Sequence, residues 1–318
     1  MRRALAGGRP QQMIDLESWM SRELTVLATG GAYFEAPRWR HGLWWTSDLY
    51  RKAIFTYTPE GKEEKVLDME HQPSGLGWLP DGSLLFVSQQ DHRVYKRTSG
   101  GAVSLHADVS AYCAGDLNDM VVDSKGRAFV GEFGFDPFAG GPPKSANLIR
   151  IDPDGSSELV ASDLMFPNGS VITADDRTLI VGEGFAGKYT AFTINDDGSL
   201  TDRRDWATLS SPPNMTSIDV LLEQLDVIVD GCCMDAEGAI WAADVRNAKC
   251  LRVLPGGEIA DEIDAPEGQN IFACMLGGHD GRTLLMCIAP GLRDNDRLGD
   301  LAATLQTTRV EVPHAAFP

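Results

Sequence analysis

The sequence has no basic cluster. Its 28 Lys and Arg are outnumbered by 46 Asp and Glu, giving a net charge of −18 over 318 residues, and no run of basic residues exceeds a pair. A surface of that sign repels phosphate backbones and anionic lipid, so neither nucleic acid nor a membrane is an expected partner. No apolar run approaches the roughly 20 residues of a membrane helix. Met1-Arg2-Arg3 is basic, but Ala4 to Gln12 is not an apolar stretch with a cleavage site, so no signal peptide is expected. Met13 is an alternative start that would leave residues 1–12 as a loose tail. The six cysteines (113, 232, 233, 250, 274, 287) have neither disulfide-framework nor zinc spacing. Several sit in apolar runs, which points to reduced, buried thiols in a cytoplasmic protein. There is no Gly-x-Ser-x-Gly elbow, no Gly-rich phosphate loop and no dinucleotide fingerprint.

What the chain does have is a repeat. With 43% apolar and 23% charged residues it is ordinary for a globular domain, while 33 Gly and 17 Pro make it rich in turns. One unit, a Gly or Asp turn followed by a short apolar strand, recurs six times. It reads Arg40-His-Gly-Leu-Trp-Trp-Thr-Ser-Asp48 in the first copy and Ala236-Glu-Gly-Ala-Ile-Trp-Ala-Ala-Asp244 in the fifth. Anchored on Gly42, Gly82, Gly126, Asp176, Gly238 and Gly281, the steps are 40, 44, 50, 62 and 43 residues. Each copy carries a strand before the turn and two alternating strands after it, and four antiparallel strands per unit make one propeller blade. The expected fold is therefore all-β, a six-bladed β-propeller. Helical spacing is nearly absent, its best stretch being a short N-terminal helix over residues 15–24. The sixth copy lacks a well-separated last strand, and Leu24-Thr-Val-Leu-Ala28 belongs to no other blade. That segment is expected to complete the last blade, so that the termini close the ring. The division is residues 1–23 as tail and short helix, and 24–318 as one propeller domain.

In a propeller the first strand of each blade lines the channel. Seven or eight residues before the turn anchors stand Glu35, Gly75, Asn118, Asn168, Asp230 and Ala273. Taken singly, Asn-Gly and Asp-Gly are turn dipeptides. Four oxygen-bearing side chains at one register are different, because carboxylates converging in a partly buried mouth repel unless something neutralises them. Two carboxylates and two amides form a hard-oxygen cage. It suits Ca²⁺ first, and Mg²⁺, Mn²⁺ or Zn²⁺ can be considered, although no His or Cys favours zinc.

Glu35-Ala-Pro, Leu117-Asn-Asp, Phe166-Pro-Asn-Gly, Val229-Asp-Gly and Cys274-Met-Leu-Gly-Gly-His-Asp-Gly-Arg-Thr-Leu resemble, in order and spacing, the motifs of the regucalcin/gluconolactonase (senescence marker protein-like) family. The resemblance spans about residues 30–290. It implies a six-bladed propeller that hydrolyses lactones with one divalent metal ion. It further implies Glu35, Asn168 and Asp230 as metal ligands, Asn118 near the metal and touching substrate or a bound water, and Asp230 as candidate general base. Members acting on sugar lactones often carry Arg two residues before the Asn of the Asn-Asp motif, where this chain has Asp116. Aromatic Phe133, Phe135 and Phe138 follow. Asp116, Asn118, Phe133 and Phe135 are the candidate substrate contacts, with a more apolar pocket than a sugar would want.

The expected chemistry is opening of a small cyclic ester, with the metal polarising the carbonyl and water activated by Asp230 or by the metal itself. Asp116, Asp119 and Glu183 are candidates to support this set. The alternatives are a phosphotriesterase-like hydrolase on the same fold and a non-enzymatic propeller that binds Ca²⁺ or a partner.

Overall fold

The computed structural model describes residues 22–137, 139, 142–291 and 300–315. Phe138 and nearly all of the expected N-terminal helix lie outside the described residues. The first strand is β1 (Thr25–Gly31). Blade one follows with β2 (Phe34–Arg40), β3 (Leu43–Asp48), β4 (Ala53–Tyr57) and β5 (Glu63–Asp68). Blade two has β6 (Pro73–Trp78), β7 (Leu84–Ser88), β8 (Arg93–Arg97) and β9 (Val103–Asp108). Blade three has β10 (Leu117–Val122), β11 (Ala128–Glu132), β12 (Ala146–Ile151) and β13 (Ser157–Leu164). Blade four has β14 (Pro167–Ile172), β15 (Thr178–Glu183), β16 (Lys188–Ile194) and β17 (Leu200–Thr208). A short helix, α1 (Ile218–Gln224), precedes blade five, which has β18 (Val229–Met234), β19 (Ile240–Asp244), β20 (Lys249–Val253) and β21 (Ile259–Asp264). The last blade contains β22 (Asn270–Gly277), β23 (Thr283–Ala289) and β24 (Ala303–Arg309).

Each blade is a four-stranded antiparallel sheet, and the last is ordered β1-β24-β23-β22. The N-terminal strand thus completes the final blade, pairing Thr25 with Thr307 and Gly31 with Ala303. The inner strands β2, β6, β10, β14, β18 and β22 each touch the next, and β22 touches β2, so the ring closes. None of the described helices is long and apolar enough to cross a membrane.

Burial explains the strand sequences. The inner strands are covered on both faces by neighbouring blades and read as continuous buried runs, as in Leu117–Val122 and Val229–Met234. The outer strands have a solvent face, and Glu63–Asp68 and Val103–Asp108 are mostly exposed. Among the largest fully buried side chains are Trp241, Tyr57, Tyr189 and Phe34. The repeated turn holds its anchor in the left-handed region, where glycine carries no steric penalty; Asp176 fills that place in the fourth copy at φ +61°. All six cysteines are free, and Cys113 alone is not buried.

Asn168-Gly169 and Asp230-Gly231 are not turns. Both pairs lie inside inner strands. A Cβ on Gly169 would stand 2.5 Å from the Asp230 carbonyl oxygen, and one on Gly231 would stand 2.4 Å from the Ala273 Cβ. These glycines let adjacent inner strands approach at the axis. Gly231→Val should therefore cost about 3 kcal/mol or more by overpacking. Gly238→Ala, where a Cβ meets nothing within 4 Å but φ is +81°, should cost about 1 kcal/mol. Urea unfolding midpoints of the two variants measure the difference, and similar losses would contradict close approach as the constraint.

Candidate active site at the channel mouth

Every inner strand contains one extra residue near its start. The register against the second strand shifts between Glu35 and Arg38, Pro73 and Leu76, Leu117 and Met120, Pro167 and Ser170, Val229 and Cys232, and Ile271 and Ala273. Six bulges at one level re-aim the residue beside each of them. Pairing partners give the equivalent set as Glu35, Ser74, Asn118, Asn168, Asp230 and Ile271. Counting back from the turns put Gly75 and Ala273 in this ring. The strand pairing corrects them to Ser74 and Ile271, because spacing from the turn varies between blades and pairing does not.

Glu35, Asn118, Asn168 and Asp230 thus share one level of four blades. Asn118, Asn168 and Asp230 are each 8% exposed, and Glu35 is partly exposed. The Asn118 Nδ2 donates to the Pro167 carbonyl at 3.1 Å, tying blade three to blade four beside Asn168. The Asn168 side chain hydrogen-bonds the Asp230 carboxylate. Glu35 is fixed at its backbone, where the Thr46 hydroxyl donates to its carbonyl at 2.8 Å. Burial pushes the Asp230 carboxyl up to about 7, helped by the Asp119 charge and opposed by hydrogen bonds from Asn168 and the Gly231 N–H. Burial also raises the Cys287 thiol, which feels both the Glu35 and the Asp230 charges. Two carboxylates and two amides at one level of the inner strands are oxygen donors of the kind that could hold a hard divalent cation. Among the described residues no group of three or more His, Cys, Asp or Glu could do so.

Asp119 follows Asn118 but is used differently. Its Oδ1 accepts from Arg38 Nη2 at 2.9 Å, and both residues are buried. Arg38 also donates to the carbonyls of Pro37, Leu76 and Met120. One guanidinium therefore joins blades one, two and three beside the donor ring. Arg38 was not singled out from the sequence.

Glu183 lies 1% exposed at the end of β15. It accepts from the Met165 N–H at 2.8 Å and from the Thr190 hydroxyl, with Lys188 and Arg203 at 3.6 and 3.8 Å. Asp48, Glu132 and Asp244 hold the same place in blades one, three and five. Each accepts N–H groups of the loop entering its own inner strand, as Glu132 does from Ala114 and Gly115. The structure gives these four carboxylates loop-holding work. The signal was in the sequence, since every one of these copies ends its second strand in Asp or Glu.

The remaining candidates lie at the rim. Asp116 is partly exposed and has His92 Nε2 at 3.8 Å. Burial raises its carboxyl, His92 lowers it and Asp136 raises it further. Phe133 is partly exposed and stacks on Phe166 at 4.5 Å. Phe135 is buried behind, against Phe185 at 6.0 Å and with Leu221 and Leu225. Phe185 and α1 were not singled out from the sequence, and Phe166 entered only as the first residue of the Phe166-Pro-Asn-Gly motif. The 62-residue step marked an insertion there, and Ser217, which caps α1 by accepting from the Val220 N–H, was the local signal.

Residues 33–289 match the family described as SMP-30/Gluconolactonase/LRE-like region. The chain is 26% identical over 210 residues to the 6-deoxy-6-sulfogluconolactonase of Pseudomonas putida, spanning 64% of each protein. It is 26% identical over 264 residues to lactonase drp35 of Staphylococcus aureus strain USA300, covering 78% of this chain and 74% of that one. A solved structure of a calcium-binding protein, regucalcin, from Agrobacterium tumefaciens superposes with a TM-score of 0.74 at 18% identity, covering 94% of this chain and 96% of that one. This last likeness is one of fold.

The Arg38 geometry makes its own prediction. Arg38→Met leaves the buried Asp119 charge without its cationic partner, with only the Met120 N–H donating to it at 2.8 Å, takes a donor from three buried carbonyls, and should cost about 3–5 kcal/mol. Asp119→Asn keeps the carbonyl contacts of Arg38 and should cost about 1–2 kcal/mol. Chemical denaturation of both variants tests the order, and a near-neutral Arg38→Met would remove the blade-joining role.

Proposed function

The chain belongs to the SMP-30/gluconolactonase/LRE-like family, and on that premise we propose that it hydrolyses a small lactone with one divalent cation held by Glu35, Asn168 and Asp230. The observation that carries this reading is the convergence of Glu35, Asn118, Asn168 and Asp230 at one register of four blades. Ca²⁺ fits the all-oxygen donor set best, and Mg²⁺, Mn²⁺ and Zn²⁺ are the competitors to test. The cation, when bound, supplies Lewis acidity to the ester carbonyl and charge for the oxyanion that develops there.

The chain's own residues do the rest. Asn118, anchored through Nδ2 on the Pro167 carbonyl, presents its amide oxygen to the substrate or to an ordered water. The Asp230 carboxylate, oriented by Asn168, is the group placed to position the attacking water and take its proton. Opening the ring then returns a proton to the leaving alkoxide, which Asp230 is placed to give. Asp116 and Phe133 form the rim that the substrate passes, with Phe135 behind. The six free cysteines support a reducing compartment, the cytoplasm.

Stripping the protein with a chelator should abolish lactone turnover, and one cation of the four should restore it. Asp230→Ala should lower kcat by about a thousandfold or more and should also erase the rise in Tm that the cation gives the wild type. Full turnover in Asp230→Ala would dismiss the assigned site. Cation-induced stabilisation without turnover of any lactone would favour a metal-binding propeller.

A further inference from the structure

The donor ring is rich in acceptors and short of hydrogen-bond donors. Asn118 directs Nδ2 to the Pro167 carbonyl, and Asn168 donates to the Asp230 carboxylate. Arg38, the guanidinium beside them, is taken up by Asp119 and three carbonyls. Glu35 and Asp230 add carboxylates, and Ile271 adds nothing polar. A lactone has two oxygens that accept hydrogen bonds and no group that donates one. Its binding therefore calls for O–H or N–H groups that the protein has not already engaged.

Blade two supplies two of them. Ser74 stands at the donor level and is 2% exposed. Its carbonyl accepts from the Ser47 hydroxyl at 2.6 Å, and Ser47 is the strand partner of Glu35. On the other side, a Cβ on the next residue, Gly75, would stand 2.9 Å from the Asp119 carbonyl carbon. Ser74 is thereby fixed between the strands that carry Glu35 and Asn118. Gln89 directly follows β7 and is 4% exposed. Its N–H donates to the Gln72 carbonyl at 3.0 Å, and its carbonyl accepts from the Leu117 N–H at 3.2 Å. Gln72 is two residues before Ser74 and Leu117 directly precedes Asn118, so Gln89 spans the starts of both inner strands. Among the described residues neither the Ser74 hydroxyl nor the Gln89 side-chain amide has a hydrogen-bond partner, and neither is one of the fully enclosed polar groups that lack one. The little surface each residue keeps therefore includes its polar end. A polar group covered to this degree without a protein partner is costly until a ligand or water satisfies it.

We propose that the Ser74 hydroxyl and the Gln89 side-chain N–H are the donors that hold the ester oxygens of the bound substrate, which makes both substrate-binding residues of the site. The proposal rests on the lactone reading above and adds to it the groups that grip the ester. The probe is N-methyl-γ-butyrolactam, a five-membered ring that presents a carbonyl acceptor, has no donor and resists hydrolysis. NMR titration into the cation-loaded protein should show Ser74→Ala and Gln89→Met each weakening its affinity about three- to tenfold. The kcat/KM for the preferred lactone should fall by a similar factor. The urea midpoint and the cation-induced rise in Tm should stay at their wild-type values, which separates a lost substrate contact from a disturbed fold or cation site. Ser74→Ala removes a single heavy atom and gives the reading by itself should Gln89→Met misfold.

Wild-type affinity for the lactam in both variants overturns the proposal, as does a wild type that does not bind it. So does a loss of affinity that comes with a loss of the cation-induced rise in Tm. Weakened lactam binding in the variants, with no lactone turned over by the wild type, supports the two donors and removes the lactonase reading. Lactone turnover at the wild-type rate in both variants does the reverse.

Discussion

Six strands brought to one axis must approach more closely than side chains ordinarily allow, and this crowding governs the molecule. At the level just inside the donor ring the chain places Ala36, Gly75, Gly169 and Gly231, and a Cβ on Gly75 would lie 2.4 Å from the Met120 nitrogen. Small residues let the backbones close, and a bulge at the same place in each strand sets the preceding residue, Glu35, Asn118, Asn168 or Asp230, at one level. The same geometry that permits packing thus aligns the candidate donors. Asp119 and Phe272 depart from the small-residue pattern at this level; Phe272 is buried in the core, and the buried Arg38 pairs with Asp119.

The acidic surplus is divided between two tasks. Asp48, Glu132, Glu183 and Asp244 are buried but sit among N–H donors, where a carboxylate holds an entering loop in place through charge-assisted bonds. Asp230 is buried with fewer donors and with another carboxylate nearby, so its charge is poorly compensated by the protein alone. The contrast separates scaffold acids from the candidate reactive one better than burial does, since both kinds are buried.

Much of this was legible in the sequence because it repeats. The turn anchors, with Asp176 standing in for Gly, fixed the blade count, and the unassigned segment Leu24-Thr-Val-Leu-Ala28 pointed to the strand that closes the ring. Four of the six positions at the donor level were visible as polar breaks in apolar strands. Ser74 and Ile271 were not, because distance to the turn differs between blades and only pairing reveals the register. Arg38 escaped because its partners are carbonyls and a carboxylate on other blades, 38 to 82 residues away. The ring stack escaped for the same reason: Phe133, Phe166 and Phe185 are far apart in sequence and meet only when three loops converge.

The closing strand has a consequence for synthesis. Among the described strands β1 is the first to be made, and its partner follows 282 residues later. Five blades can form from local hairpins as they appear, but β1 must wait, its edge unpaired, until β24 is made. Glu35 lies in blade one and Asp230 in blade five, the two blades that flank the unfinished one. A chain lacking β24 would carry Glu35, Asn118, Asn168 and Asp230 yet leave β1 without its partner, so closure of the ring waits for one of the last strands to be made.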